Sequence, residues 1–386
     1  MTQPEDNPRP PKKRQRHRVD DDLKIRLAIE RFSGKLVGIK ELARRHGRAE
    51  AVVSRAITSA FSEGLVEVRR AERHSITRVE PLETALRDRF HSLAMAIVVD
   101  VEPKPDLLHE QLGHGLAEHL NAAPFLDGLR LLVGAGRCVY HMAEQLARNG
   151  ARLRTRDATI IAACGDSYPY HDRKRNVCLD ANANVNLLCQ AFEHPARIGL
   201  TSRHVFMGPD DNDWWNQYYG TFWQPLPTTA ILGLGIFNHQ HQLVLLTDPA
   251  QTKEFPPVKV PKPTADDIRD LYQLTESVSP RHACVAEIGM CLFWAPPAGA
   301  PPANDPRVIA IRALIDRINP ALFAPRLEQL SQVQRIILVG GGVAKAHAIR
   351  HVLDHLSPAA RSADLDSLAI QILCTDRSCA QQMLKA

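Results

Sequence analysis

Three stretches of the chain place glycine beside side chains suited to holding a small anion. The first is RIILVGGGVAKAHAIRHVL (335–353), where an apolar run meets Gly340, Gly341 and Gly342, then Lys345, then a helix-like tail. The second is LLVGAGRCVYHMAEQL (131–146), a strand-like run, glycines at 134 and 136, and a helix beginning near Cys138. The third is IIAACGDSYPYHDRKRN (160–176), with a Cys164–Gly165 turn ahead of His171, Arg173, Lys174 and Arg175. In such turns backbone N–H groups approach an anion closely, and a lysine adds a point charge. None contains the GK[ST] of a Walker loop, and Lys345 stands where GxGxxG would need its last glycine. Each stretch alone also fits a plain strand-to-helix turn; three at one sheet edge would make a binding site.

Acid/base catalysis of the sugar-phosphate isomerase or deaminase kind would draw on Asp166, Asp180, Glu287 and His347. None of the four sits in a motif that separates it from ordinary polar loop residues, so an enzyme is the alternative and a non-enzyme the expectation. Cysteines stand at 138, 164, 178, 189, 284, 291, 374 and 379, with no CxxC pair and no alternation with histidine at zinc spacing. That pattern predicts a reduced chain with no metal and no cofactor. The one aromatic concentration, WWNQYYGTFW (214–223), fits a packed flap or subunit contact better than a sugar-stacking platform.

The charge is unevenly spread. Residues 1–80 hold 19 Lys+Arg against 12 Asp+Glu, a net of +7, so a whole-chain net of +5 leaves −2 for the remainder. A basic first fifth on a near-neutral body points to a polyanion bound at one end. Past the Pro-rich arm, DDDLKIRLAIERFSG reads as a helix with an acidic start and an apolar face including Leu23 and Leu27. GIKELARRHG (38–47) and RAEAVVSRAITSAFSEG (48–64) then read as two short helices around a His46–Gly47 turn, the helix-turn-helix pattern. Leu65–Val68 and Ser75–Val79 can pair as a wing. Arg44, Arg45, Arg69 and Arg70 could reach phosphates, while Arg48, Glu50, Ser54 and Arg55 could read base edges from the second helix.

The rest alternates strand and helix, which predicts a largely parallel, doubly wound α/β sheet with ligands at the carboxyl ends of its strands. Strands are expected at 93–101, 129–133, 159–163, 229–236, 242–246, 284–288, 336–339 and 369–373. Proline density marks 248–267 and 294–306 as loops. No apolar run has the length of a membrane span, and the first residues lack a signal peptide's apolar core, so a cytoplasmic chain with no membrane partner is expected.

Six segments occur in an order that resembles the SorC family of bacterial sugar-responsive transcriptional regulators: VSRAITSAFSEGLVEV, FHSLAMAIVV, LLVGAGRCV, AILGLGIF, RIILVGGGVAKAHAIRHVL and CTDRSCAQQML. The resemblance runs from about Asp20 to the end. It implies a winged helix-turn-helix followed by a Rossmann-like effector domain similar to glucosamine-6-phosphate deaminase and ribose-5-phosphate isomerase. It also implies a homo-oligomer, dimer or tetramer, that binds double-stranded operator DNA and answers to a sugar or sugar phosphate. By position, the effector residues would be Gly136, Arg137, Cys138, Cys164, Gly165, Asp180, Asn182, Glu287, Gly341, Gly342 and Lys345. Cys138 stands where threonine is usual, and Ala49–Glu50–Ala51–Val52 where Ser–Arg–Pro–Thr is usual. The expected organisation is a disordered basic arm (1–18), a winged helix-turn-helix (19–80), a linker helix (81–90) and an effector and oligomerisation domain (91–386).

Overall fold

The computed structural model describes residues 21–32, 38–62, 76–101, 105–122, 125, 127–148, 153, 155–165, 171–172, 177–178, 180–194, 196–201, 217–237, 262–279, 283–356 and 368–385. The arm, the first wing strand at 65–68 with Arg69 and Arg70, and the strand expected at 242–246 lie outside these residues. So do Asp166, Arg173, Lys174 and Arg175. The chain divides into two compact units between Ser75 and Ile76.

In the first unit α1 (Asp21–Phe32), α2 (Ile39–Arg45) and α3 (Glu50–Ser62) surround a small core of Leu27, Leu42, Ala43, Val53, Ala56 and Ile57. Val53, Ala56 and Ile57 are three and four apart, so one stripe of α3 is apolar and its other faces are left to polar residues. The α2–α3 turn needs a left-handed residue, which Gly47 supplies at φ +58°.

In the second unit, residues 77–79 run beside the end of β1 (Met95–Val99): Arg78 bridges Val99, and Val79 N–H donates to the Val98 carbonyl at 2.8 Å. The stretch read as the second wing strand therefore pairs within the sheet unit. The helix read as a linker, α4 (Glu80–Arg89), packs on β1, with Glu83 and Leu86 buried.

The remaining elements are α5 (Pro105–Ala122), β2 (Arg130–Val133), α6 (Arg137–Arg148), β3 (Thr159–Ala162), β4 (His171–Asp172), β5 (Val177–Cys178), α7 (Ala181–Cys189), β6 (Arg197–Gly199) and β7 (Thr229–Ile236). They continue with α8 (Lys262–Val278), β8 (Val285–Ile288), β9 (Cys291–Trp294), α9 (Pro306–Ile318), α10 (Leu327–Leu330), β10 (Arg335–Val339), α11 (Ala346–His355), β11 (Ile370–Asp376) and α12 (Arg377–Leu384). The sheet runs β1-β11-β10-β7-β2-β3-β6, every neighbouring pair parallel, with an antiparallel β8–β9 extension on β7. Chain order moves outward from β2 through β3 to β6, then from β7 through β10 to β11. The reversal point lies between β2 and β7, where open α/β sheets form their ligand crevice.

Strand residues alternate between two cores. Ile97, Leu131, Val133 and Ile337 face α5, α6 and α7, while Val98, Leu132, Ile336 and Leu338 face the other side with α4, α11 and α12 residues. Burial on both faces explains why these strands read as unbroken apolar runs. Two expectations fail in detail. The loop expected through residue 267 ends at Lys262, where α8 begins with Pro263 in its first turn, a place where the missing N–H costs nothing. Residues 291–294, not read as a strand, form β9 after a turn in which both Gly289 (φ +57°) and Met290 (φ +73°) are left-handed.

Candidate functional site

The turn after β2 lies directly against β7. Gly134 N–H donates to the Ile231 carbonyl at 2.9 Å, and a Cβ on Gly134 would stand 3.2 Å from the Leu232 side chain. Gly136, at φ +108°, then turns the chain into α6, so the first N–H groups of a twelve-residue helix open at the sheet's reversal point. Arg137 is exposed at that start and Cys138 buried.

The turn after β10 is held by Asp376 at the end of β11. One carboxylate oxygen accepts from Gly342 N–H; the other accepts from Cys379 N–H at 3.1 Å and Ser378 N–H at 3.0 Å, capping α12. Gly341 fits only without a side chain, since a Cβ would lie 2.5 Å from Asp376 Oδ1 and 2.7 Å from Leu112 Cδ1. Gly342 adopts φ +89°, and Lys345 Nζ donates to the Leu234 carbonyl of β7 at 2.7 Å.

These two turns meet at α5. His109 Nδ1 lies 3.3 Å from Cys138 Sγ. Burial, then the charges of Lys345 and Arg137, hold the His109 imidazole down to about 4, so it is neutral at physiological pH. Burial lifts the Cys138 thiol to about 11 against the pull of the same two cations. A protonated thiol beside a neutral imidazole is not a nucleophile–base pair. What the corner offers is two cations, the open start of α6 and a neutral ring: the chemistry of anion binding. Glu287 on β8 reaches over β7 nearby, its Oε1 occupying the space above Gly235.

Four expected site residues are committed elsewhere. Asp180 caps α7 through Ala183 N–H at 2.7 Å. Asn182 holds Thr201, accepting from its N–H at 2.9 Å, and Thr201 Oγ1 donates to the Cys164 carbonyl at 2.7 Å. Gly165 N–H donates to the Phe323 carbonyl at 2.8 Å. These bonds fix the end of β3 and the start of α7. Of the acid/base candidates, His347 has Nε2 2.6 Å from the Ala283 carbonyl.

The sequence reading did not single out His109, Asp376 or Asn184. Asn184 is buried on α7 and donates to the Gly134 carbonyl at 2.9 Å. Local spacing marks none of them as a partner of a turn 29 or more residues away, although Asp376 lies inside the quoted CTDRSCAQQML.

In the first unit, Lys40, Arg44, Arg48 and Glu50 line one shallow cleft with Gly47. Glu41 holds Arg44 Nη2 at 2.7 Å and Arg45 Nε at 2.8 Å, and these hydrogen bonds lower its carboxyl to about 2. Arg55 is exposed, its Nε donating to the Ala51 carbonyl at 3.1 Å, and Ser54 is half-buried.

No family model matches the chain, and no curated protein does. Solved structures do. The full-length sorbitol operon regulator SorC of Klebsiella pneumoniae is similar at 17% identity over 95% of this chain and 100% of that one, TM-score 0.50. A transcriptional regulator of Streptococcus pneumoniae is similar at 15% identity over 79% of this chain and 96% of that one, TM-score 0.54. A sugar-binding domain ascribed to a transcriptional repressor of Vibrio fischeri is similar at 15% identity over 80% of this chain and 98% of that one, TM-score 0.52. At such identities the likeness establishes the fold: the resemblance read from the sequence holds as a shared α/β architecture with a parallel sheet.

Proposed function

We propose that the chain is a DNA-binding transcriptional regulator of carbohydrate-metabolism genes whose hold on its operator is modulated by a sugar or sugar-phosphate effector. The observation that carries this reading is the meeting of Arg137, Lys345 and neutral His109 around two glycine turns at the reversal point of the sheet. The fold likeness to SorC and to sugar-binding regulator domains supports it.

Gly136, Arg137 and Cys138 would offer the effector the start of α6, and Gly341, Gly342 and Lys345 the facing turn, with Glu287 accepting from sugar hydroxyls. A phosphate would draw Lys345 Nζ off the Leu234 carbonyl. Cys164, Gly165, Asp180 and Asn182 would act from behind, keeping the floor of the site in shape. In the first unit α3 would enter the major groove of double-stranded DNA with Arg48, Glu50, Ser54 and Arg55, while Arg44, Arg45 and the wing arginines Arg69 and Arg70 take phosphates. The finer fold assignment belongs here too: a winged helix-turn-helix, and an effector domain like glucosamine-6-phosphate deaminase. So does a cytoplasmic homo-oligomer, dimer or tetramer. No helix among the described residues is long and apolar enough to cross a membrane.

The test is fluorescence anisotropy of a labelled duplex from the chain's own upstream region, with and without a panel of sugars and sugar phosphates. Binding that weakens steeply with salt and shifts with one panel member is expected. No duplex binding, or binding indifferent to every member, overturns the reading; turnover of a sugar phosphate would favour the enzyme alternative instead.

A further inference from the structure

A cleft of about 590 Å³ opens between β9, α9, α10 and the end of α11, away from the glycine turns. Its wall includes Trp294, Arg312, Asp316, Asn319, Pro320 and Leu327. Residues 309, 312 and 316 of α9, continued by Asn319 just past its end, fall within one helical stripe. Ile309 at its start is 55% exposed, among the largest such exposures of an apolar side chain in the described residues.

The charges on this stripe differ from those on the rest of the helix. Arg307 is paired with Asp305 at 2.8 Å and Arg317 with Asp267 at 2.8 Å. The Arg312 guanidinium and the Asp316 carboxylate, one turn apart, have no hydrogen-bond or ion-pair partner among the described residues. Beside them, the outer edge of β9 is closed: Asn319 donates to the Leu292 carbonyl and accepts from its N–H, both at 2.9 Å. A partner strand therefore cannot add at Leu292, and anything docking here meets a helix face.

We propose that this stripe is a self-association surface, on which α9 packs antiparallel against α9 of a second copy across a two-fold axis. A two-fold that sets Arg312 against Asp316 of the second copy makes both ion pairs at once, as an isologous contact requires. The same register sets each exposed Ile309 opposite Asn319 and Pro320 of the other copy, at the mouth of the cleft. A lone cation or a lone anion would match only half of this stripe; a second copy matches all of it. The proposal deepens the oligomer reading above and is independent of its DNA and effector parts, because association is measured without either.

Sedimentation velocity of the full-length protein across a concentration series tests it. Arg312→Asp and Asp316→Arg each bring like charges together, and each is expected to weaken association about tenfold or more. The double exchange, Arg312→Asp with Asp316→Arg, is expected to restore it. Because both residues are exposed, each variant keeps its fold, checked by circular dichroism. A wild-type protein that stays monomeric ends both the oligomer reading and this surface. Association that ignores the single exchanges, or that the double exchange fails to restore, ends this surface alone.

Discussion

The two halves of the expected effector rim use the same kinds of residue in opposite ways. At the ends of β2 and β10, Arg137 and Lys345 lie near the buried His109 imidazole, which burial first and then these two charges hold down. At the end of β3 and the start of α7, Asp180, Asn182, Cys164 and Gly165 are all tied into hydrogen bonds with Ala183, Thr201 and Phe323. A polar residue at a strand end is thus a ligand candidate only after its obligations to the backbone are counted.

The largest expected effect tests the packed half of the first turn pair. Gly341→Ala forces a methyl into Asp376 and Leu112, and should cost about 1–3 kcal/mol of stability in urea unfolding, as overpacking does. A neutral outcome would mean the turn opens easily. Lys345→Ala should weaken effector binding by about 1.5–3 kcal/mol, the worth of a hydrogen bond to a charged group, while leaving effector-free DNA affinity unchanged; equal loss of both would make the lysine structural.

His109 gives a pH signature. Its folded value, about 4, lies below the ordinary 6.5, so its contribution to stability is fully present above 6.5 and is lost as the pH falls through about 4. Unfolding curves should steepen in that window, and His109→Gln should flatten them in part. His351, also held down to about 4 by burial, and His119, likewise lowered by burial, add to the slope. Smallest is Asp180→Ala, which should cost about 1 kcal/mol as a lost helix cap and be repaired by Asp180→Ser. If Asp180→Ser instead abolishes effector response, the contrast between the two halves is wrong.

The central strands were legible because burial on both faces writes itself as apolar runs, and the glycine turns because few residues can leave a strand that sharply. β9 was not, because its turn places Met290 in a left-handed conformation where Gly or Asn would have given the hairpin signal. His109 was not, because its significance depends on Lys345 and Arg137, which only the folded sheet brings near. Of the expected wing, Leu65–Val68 lie outside the described residues; Thr77 and Val79 bond to the end of β1, a pairing that apolar alternation alone does not name.

Asp376 has a consequence of its own. One side chain clasps Gly342 with one oxygen and the first turn of α12 with the other, and α12 rests against α4, the first helix after the division of the chain at residue 75. The glycine turn cannot be pushed aside without either letting go of α12 or tugging it along. A jolt at the rim thus has a short mechanical route to the opening helix of the second unit.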